Sequence, residues 1–476
     1  MRLIFALFAF LFAPGVLANT GIAAIDEVVV RELPASGAPG VAYAVVDHGD
    51  VRAGGGGRTR ANGVRAVTAD TVFRIGSISK SFTALAIMQM AQSGAVDLDA
   101  GVATYLPAFK GHAAGSISLR QLLSHTSGYS TVQGNGSHGD DAYRNRGLAK
   151  YVSRVAQWQP AYPPGERWEY SNLNYQILGA VIEAVNGQDY ADYIKAHIFV
   201  PLGMADSFVG NGPTRRPIAI GHRPWFGGKR PYEPGRYDRV AAPAGGIFAS
   251  ANDLARFLAM MLNGKDDIVS AANKAKMLRP ANQASSFYGL GWFIDRDAGT
   301  AFHSGLVPGT ETLATLLPAE GKAVVVLVNA NGGIGFGDNL QLRNAITAKA
   351  LGLEYAGEGS RLWPKLTYLM VMLLPVAFVA CMAWAWLRRV KLRAKSGIAG
   401  WFSLWFPLLA MAAMAAVLTV IVPRMFGGSL GMLGLYQPDF ALAMVATAAL
   451  GPAWAIFRLV LAYGGRGDRM PKIDWA

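Results

Sequence analysis

"FRIGSISKSFTA" (residues 73–84) sets three serines and a lysine at the mouth of an otherwise oily helix. The stretch opens like a strand at Phe73 and Ile75 and turns at Gly76. It then runs into Phe82-Thr83-Ala84-Leu85-Ala86-Ile87-Met88, apolar on nearly every side. A helix apolar all round is a buried helix. Lys80 then lies one turn inside a dry element, where an ammonium is costly unless it has a partner or a task. With Ser77 at the start of that helix, its hydroxyl and the Lys80 amine share one face, a turn apart. The helix N-terminus adds free backbone N–H groups and a positive dipole end, both favourable to a developing oxyanion. A desolvated lysine of lowered pKa can take the serine's proton. The plainer reading is that Ser77 caps the helix and Lys80 reaches the surface. On this stretch alone both readings stay open.

Working outward, residues 20–33 carry Ile22, Ile25, Val29 and Leu33 on one side of an amphipathic helix. "GVAYAVVDHGDVRAGGGG" reads as a hairpin turning at His48-Gly49-Asp50. The Gly54–Gly57 run lacks the Lys-Ser/Thr of a phosphate loop, so a flexible strand end is expected there. The middle of the chain is helix-rich. "SLRQLLSHTSG" and "SNLNYQILGAVIEAVNG" are each expected to stop at a glycine, Gly128 and Gly187. Strand patterns return late in "GLGWFID", "TAFHSG", "ETLATLLP" and "KAVVVLVNA", followed by a helix around Asp338 to Leu351. Strands at both ends with helices between predict an α/β (α+β) fold. Its antiparallel sheet is closed by the two termini, flanked by helices and interrupted by an inserted helical subdomain. The basic run 214–239 is expected to be a solvated loop.

The 476 residues are 52% hydrophobic, and the oily residues are unevenly spread. A basic start, a short apolar run and small residues at Val16 and Ala18 predict a signal peptide over 1–18. Residues 19–362 then form the exported domain, and 363–476 a membrane domain. Its spans are 366–387, 401–422 and 440–463, each long enough to cross a bilayer. Arg388, Arg389, Lys391, Arg393 and Lys395 follow the first span, and Arg466, Arg469 and Lys472 the third. The loop before the third span carries only Arg424. This asymmetry predicts a multi-pass protein of the plasma (inner) membrane, with a cytoplasmic C-terminus and an extracytoplasmic, periplasmic catalytic domain. Of the formal charge of +13, residues 363–476 supply +8 from eleven Lys/Arg and three Asp, and Arg2 supplies one. Only +4 remains for residues 19–362, so the basic pI gives no ground for nucleic-acid binding. Cys381, the single cysteine, falls in the first span, which excludes a disulfide or thiol nucleophile in the exported domain.

Two further stretches bear on Ser77. "PGERWEYSNLNYQILG" holds Tyr170-Ser171-Asn172 directly before a helix, and "TAFHSGLVPG" holds His303-Ser304-Gly305 on a late strand. With Ser77-Ile78-Ser79-Lys80, the chain resembles the serine β-lactamase and penicillin-binding protein superfamily over roughly residues 20–355. Within it, the class C β-lactamase, D-alanyl-D-alanine carboxypeptidase and esterase branch is most similar. "LRQLLSHTSGY", "FVPLGMADS", "PAGGIFASANDLARF" and "YGLGW" are phrases typical of that branch.

The resemblance implies Ser77 as the acylated nucleophile, Lys80 as its proton partner and Tyr170 as the phenol that exchanges protons with nucleophile and leaving group. Asn172 would hold Lys80 or a substrate amide. The N–H groups of Ser77 and Leu306 would form the oxyanion hole, with His303, Ser304 and Gly305 beside the substrate. The departure is His303, where the family's β-lactamases and most of its peptidases carry a lysine that helps hold a substrate carboxylate. Histidine titrates near about 6.5 and is mostly uncharged at neutral pH. Histidine there resembles the esterase and amino-terminal D-peptidase members. The expected activity is therefore hydrolysis of ester or small amide and D-amino-acid peptide substrates, small molecules or cell-envelope peptides, by a protein partnered with the lipid bilayer. The alternatives are a penicillin-recognising carboxypeptidase or β-lactamase, or an acylated sensor that does not turn over. His125, in "SHTSG", is expected to be structural, and no metal or organic cofactor is implied.

Overall fold

Val41, Tyr43 and Val45 point to one side of a strand, and Ala42, Ala44 and Val46 to the other; all six are buried. A strand apolar on both faces belongs to a sheet covered on both sides. The computed structural model of the protein, which describes residues 21–136, 147–210, 212, 214, 216–233 and 239–464, has that arrangement. Helix α1 (Ile22–Ser36) leads into β1 (Gly40–Asp47) and β2 (Asp50–Gly57), and β3 (Phe73–Arg74) precedes helix α2 (Ser79–Gln92). Helix α3 (Asn172–Asn186) ends, as expected, at left-handed Gly187. Short strands follow, β4 (Phe208–Val209), β5 (Gly221–Trp225), β6 (Gly228–Tyr232) and β7 (Ile247–Ala249), then helix α4 (Ala251–Leu262). The chain returns through β8 (Phe293–Asp295), β9 (Thr300–Val307), β10 (Thr310–Leu317), β11 (Lys322–Val328) and helix α5 (Leu340–Leu351).

The main sheet has the order β2-β1-β11-β10-β9-β8, with every pairing antiparallel. The two ends of this part of the chain therefore meet at the centre of the sheet, where β1 pairs with β11. On one face, Ile25, Val28 and Val29 of α1 and Leu342 and Ile346 of α5 pack on Val41, Tyr43, Val324 and Val326. On the other face, α2 and α4 bury Phe82, Leu85, Leu254 and Phe257 against Ala44, Val325 and Leu327. Phe82 stacks on Phe257 at 4.1 Å. Helix α2 is buried from Ser79 to Met88 because it runs between the sheet and the helical subdomain. This location explains its lack of a polar face.

Three expectations change. The glycines 54–57 are not a loose strand end, because β2 pairs with β1 as far as Gly40↔Gly57. Their role is close approach: a Cβ at Gly54 would meet the Tyr43 hydroxyl at 2.5 Å, and one at Gly56 would meet Val29 at 2.6 Å. The helix in "SLRQLLSHTSG" ends at Leu123, five residues before Gly128. The Ser124 hydroxyl donates to Arg120 O, and His125 turns into the left-handed region at φ 59°. Within the described part of 214–239, β5 and β6 form a hairpin. The Arg230 guanidinium lies 3.5 Å from the Trp225 ring, and that of Arg223 lies 4.0 Å from the Tyr232 ring.

The chain divides into two compact units, Met1–Gly359 and Ser360–Ala476. In the second, helices α6 (Leu362–Leu387), α7 (Gly397–Met425) and α8 (Pro438–Tyr463) have mean hydropathies of 2.3, 2.3 and 1.8. Each is long and apolar enough to cross a membrane, and each is longer than the expected span. The buried Asp439, at the start of α8, accepts a hydrogen bond of 2.6 Å from the Tyr368 hydroxyl. The signal peptide expected over 1–18 lies outside the described residues.

Candidate active site

Ser77 does not start the α-helix. It sits in a tight turn, Gly76–Ile78, directly before α2. The Ser79 hydroxyl donates to Gly76 O at 2.7 Å and accepts from Ile247 N at 3.1 Å, fastening the turn to β7. Ser81 closes it from the other side by donating to Ile78 O at 2.7 Å. The turn between strand and helix is thereby fixed by side chains, leaving the Ser77 hydroxyl for Lys80.

The Lys80 amine lies 3.0 Å from Ser77 Oγ, 2.7 Å from Asn172 Oδ1 and 2.7 Å from Ala244 O, and the residue is fully buried. Burial holds its pKa well below the ordinary lysine value. A neutral amine also fits these three contacts. The protonated amine donates to all three oxygens; once deprotonated it would keep hydrogens for Asn172 Oδ1 and Ala244 O and turn its lone pair to the Ser77 hydroxyl. That arrangement takes a proton from serine without first having to shed one. Asn172 is held in turn by Asn135, whose Oδ1 accepts from Asn172 Nδ2 at 2.8 Å. The Ala244 carbonyl, in "PAGG", is a partner that sequence reading missed. A main-chain oxygen leaves no mark on residue identity.

Tyr170 comes to the same place from the segment before α3. The Lys80 amine is 4.9 Å from the centre of its ring. The ring lies between that of His125, at 4.3 Å, and that of Phe293, at 6.3 Å and nearly parallel. His125 Nδ1 accepts from Ser171 N at 3.1 Å and from Asn174 Nδ2 at 3.0 Å. Its pKa is pushed well down, first by burial and then by the neighbouring titratable groups of Lys80 and His303. His125 thus braces the Tyr170-Ser171-Asn172 turn as an uncharged ring.

The third segment enters along β9. In the β9–β10 hairpin, Val307 and Thr310 flank the two-residue turn Pro308-Gly309. Such a closing pair exchanges hydrogen bonds, so the next pair, Leu306↔Glu311, does not, and Leu306 N–H points away from β10. On that side β8 covers only Thr300 to Phe302, which leaves the rest of the edge to the Ser77 turn. The approach is close: a Cβ on Gly76 would lie 2.9 Å from Leu306 N, and one on Gly305 would lie 2.0 Å from Ile75 O and 2.1 Å from Thr312 Oγ1. The Thr312 hydroxyl donates to Ile75 O at 2.7 Å, locking sheet and turn together. Leu306 N therefore lies on the part of the β9 edge that faces the Gly76–Ile78 turn. Gly305→Ala is expected to force this seam apart, at an overpacking cost of about 1–3 kcal/mol. A misplacement of about 1 Å lowers turnover by roughly 100-fold. Thermal melting and kcat measured together check this, and a variant with unchanged kcat would contradict the seam's role.

His303 and Ser304 are buried, whereas the Leu306 side chain is half exposed. His303 Nδ1 is 2.8 Å from Ser304 O and Nε2 is 3.2 Å from the Tyr288 hydroxyl. The carbonyl requires a proton on Nδ1, so Nε2 accepts from Tyr288. Burial, reinforced by Lys80, pushes the imidazole down to about 3, while burial holds the Tyr288 phenol well above its ordinary value. Both rings stay neutral at physiological pH. The structure thus seats His303 behind Tyr170, ring centres 6.3 Å apart, bonded to its own strand and to Tyr288. Among the described residues there is no cluster of three His, Cys, Asp or Glu able to hold a metal.

An antiparallel sheet with helices on both faces, and a serine, lysine and tyrosine meeting at its β9 edge, defines the β-lactamase/transpeptidase fold. Residues 27–349 match the Beta-lactamase family, and the chain belongs to that family. Penicillin-binding protein 4 of Amycolatopsis lactamdurans is 32% identical over 321 residues, covering 62% of this chain and 81% of that protein. Protein flp of Staphylococcus aureus is 29% identical over 326 residues, 66% of this chain. The match spans 64% of the length of protein flp. The octameric penicillin-binding protein homologue from Pyrococcus abyssi has a TM-score of 0.61 at 27% identity, covering 70% of this chain and 77% of that one. The fold is shared with a class C β-lactamase, the hydrolase EstCE1 with promiscuous acyltransferase activity, and a D-stereospecific amidohydrolase from Streptomyces. The family is one of serine hydrolases that act through an acyl-enzyme.

Proposed function

We propose that the protein is a membrane-tethered serine hydrolase that forms an acyl-enzyme on Ser77 and acts on esters or small amides, D-amino-acid peptides included, outside the cytoplasm. The single observation that carries this reading is the Lys80 amine, buried with no ion pair among the described residues and 3.0 Å from the Ser77 hydroxyl. In the first step Lys80 takes the Ser77 proton, Oγ bonds to the substrate carbonyl carbon, and the carbonyl oxygen becomes an oxyanion between Ser77 N–H and Leu306 N–H. The carbon–leaving-group bond then breaks as Tyr170, in proton exchange with Lys80, protonates the departing oxygen or nitrogen. Water, deprotonated by the same pair, attacks the ester carbon, and Oγ leaves with a proton. Asn172 orients Lys80, and Ser304 and Gly305 line the approach beside Leu306.

The neutral His303 bears on substrate choice. A fixed cation behind β9 would favour a substrate carboxylate, but an imidazole titrating near about 3 supplies no charge there. Uncharged esters and amides are therefore favoured over penicillins and peptide C-termini. The likeness to a penicillin-binding protein favours the second reading, a penicillin-recognising carboxypeptidase or β-lactamase. The lysines and arginines after the first and third apolar helices support a cytoplasmic C-terminus and a catalytic unit outside.

The test is a hydrolysis panel with the full chain in detergent: p-nitrophenyl esters, D-amino-acid amides, muropeptides and nitrocefin. Turnover of the esters and amides is expected to exceed that of nitrocefin by about tenfold or more, the worth of roughly 1.4 kcal/mol in the transition state. Nitrocefin or muropeptide hydrolysis at comparable kcat/KM would transfer the assignment to the second reading. A stable adduct that never turns over would assign the protein as an acylated sensor.

A further inference from the structure

The membrane unit contains a feature that hydrolysis does not use. Between the end of α6, the segment after it and α8 lies a cavity of about 330 Å³. Its wall carries four basic side chains, Arg388, Lys391, Lys395 and Arg458, with Trp384 and Leu392 forming apolar parts of the lining. Arg458 is the unusual member. It lies within α8, five residues from its end at Tyr463, and is 8% exposed. One guanidinium nitrogen donates to Ser403 O at 3.2 Å, and the group lies 4.9 Å from the Trp454 ring. A guanidinium has five N–H donors, so this single bond leaves most of its capacity unused.

A cation inside a span is costly and ordinarily has a counter-charge. Among the described residues of this unit the only carboxylate is Asp439. It is bonded to Tyr368 at the opposite end of α8, about 28 Å along the helix from Arg458. Arg388, Lys391 and Arg458 make no ion pair with a carboxylate among the described residues. The counter-charge must then come from outside this part of the chain, at the depth where an amphipathic anion lies.

We propose that this cavity binds the phosphate of an anionic phospholipid headgroup, with Arg388, Lys391 and Arg458 as the anion's partners and Trp384 and Leu392 against the glycerol and upper acyl chain. The lining fits that ligand better than a free anion. Phosphate alone needs only the cations, whereas an apolar wall beside them suits a headgroup still joined to its chains. The volume is of ligand size, and a basic pocket between spanning helices on the positively charged side of a membrane protein is where such headgroups bind.

The test uses the full chain in a neutral detergent, titrated separately with phosphatidylglycerol, phosphatidylcholine and inorganic phosphate, with bound species counted by native mass spectrometry. Phosphatidylglycerol is expected to bind in a one-to-one complex that inorganic phosphate does not displace, and phosphatidylcholine to bind far more weakly. The triple variant R388Q/K391Q/R458Q is expected to weaken phosphatidylglycerol binding roughly 100-fold, the combined worth of three basic groups facing an anionic headgroup. The charge control R389Q/K365Q, outside the cavity, is expected to stay within about twofold of the parent. The double variant R388Q/K391Q leaves the span intact, and its loss is expected to be roughly 30-fold. Ester hydrolysis by each variant reports that the catalytic unit is folded. Equal binding of the two lipids, displacement by inorganic phosphate, or equal losses in the triple variant and the control would each overturn the proposal.

Discussion

Ser77→Ala is expected to abolish both covalent labelling by a fluorophosphonate probe and steady-state ester turnover, with kcat falling by at least roughly 1,000-fold. The reason is local. The hydroxyl lies 3.0 Å from a buried amine whose pKa is held well below the ordinary lysine value, in a turn that packs against Leu306 of β9. Alanine keeps the turn, because the bonds that hold it belong to Ser79 and Ser81. Melting temperature is therefore expected to change little while activity disappears. Substantial turnover surviving in Ser77→Ala would move the nucleophile elsewhere.

Lys80→Met is expected to lower kcat by about as much, since the nucleophile is then left without a base. Two pH signatures accompany it. In the parent, turnover falls as pH falls through the lowered pKa of Lys80, because protonation removes the acceptor for the Ser77 proton. Stability follows the same sign. Lys80 is held below its ordinary value in the folded chain and titrates near about 10.5 when unfolded, so the unfolded chain binds the extra proton between those two values. The contribution of Lys80 to stability therefore rises with pH across that window and is complete above about 10.5. Melting temperatures of the parent and Lys80→Met, compared from about pH 7 to about pH 10, are expected to shift in the parent's favour as pH rises. A constant difference would mean that Lys80 keeps its proton throughout.

Much of this arrangement is legible in the sequence where chemistry needs particular side chains at particular places. The all-round apolar character of residues 82–88 signals a buried helix, and Lys80 inside it signals a dry amine. The antiparallel sheet follows from strand patterns joined by short turns. What the sequence conceals depends on distant backbone meeting. Ala244 O reaches Lys80 across 164 positions, and Thr312 locks to Ile75 across 237. His125 reads as a helix-end residue, and that it braces the Tyr170 turn emerges only with Ser171 N and Asn174 bonded to it. The β5–β6 hairpin is masked by proline and arginine. Those residues depress strand patterning, and the stabilising contacts are cation–ring pairs rather than apolar alternation.

The proposed chemistry reduces to one spatial relation: three segments far apart in the chain are to present an amine, a phenol and two amide hydrogens to a single serine oxygen. A crystal structure of the full chain after reaction with a phosphonate ester measures that relation directly. The expected result is phosphorus bonded to Ser77 Oγ, its non-ester oxygen about 2.7–3.1 Å from both Ser77 N and Leu306 N, and Lys80 Nζ still within bonding distance of Oγ. Phosphorus on another residue, or its oxygen turned away from Leu306, would contradict it.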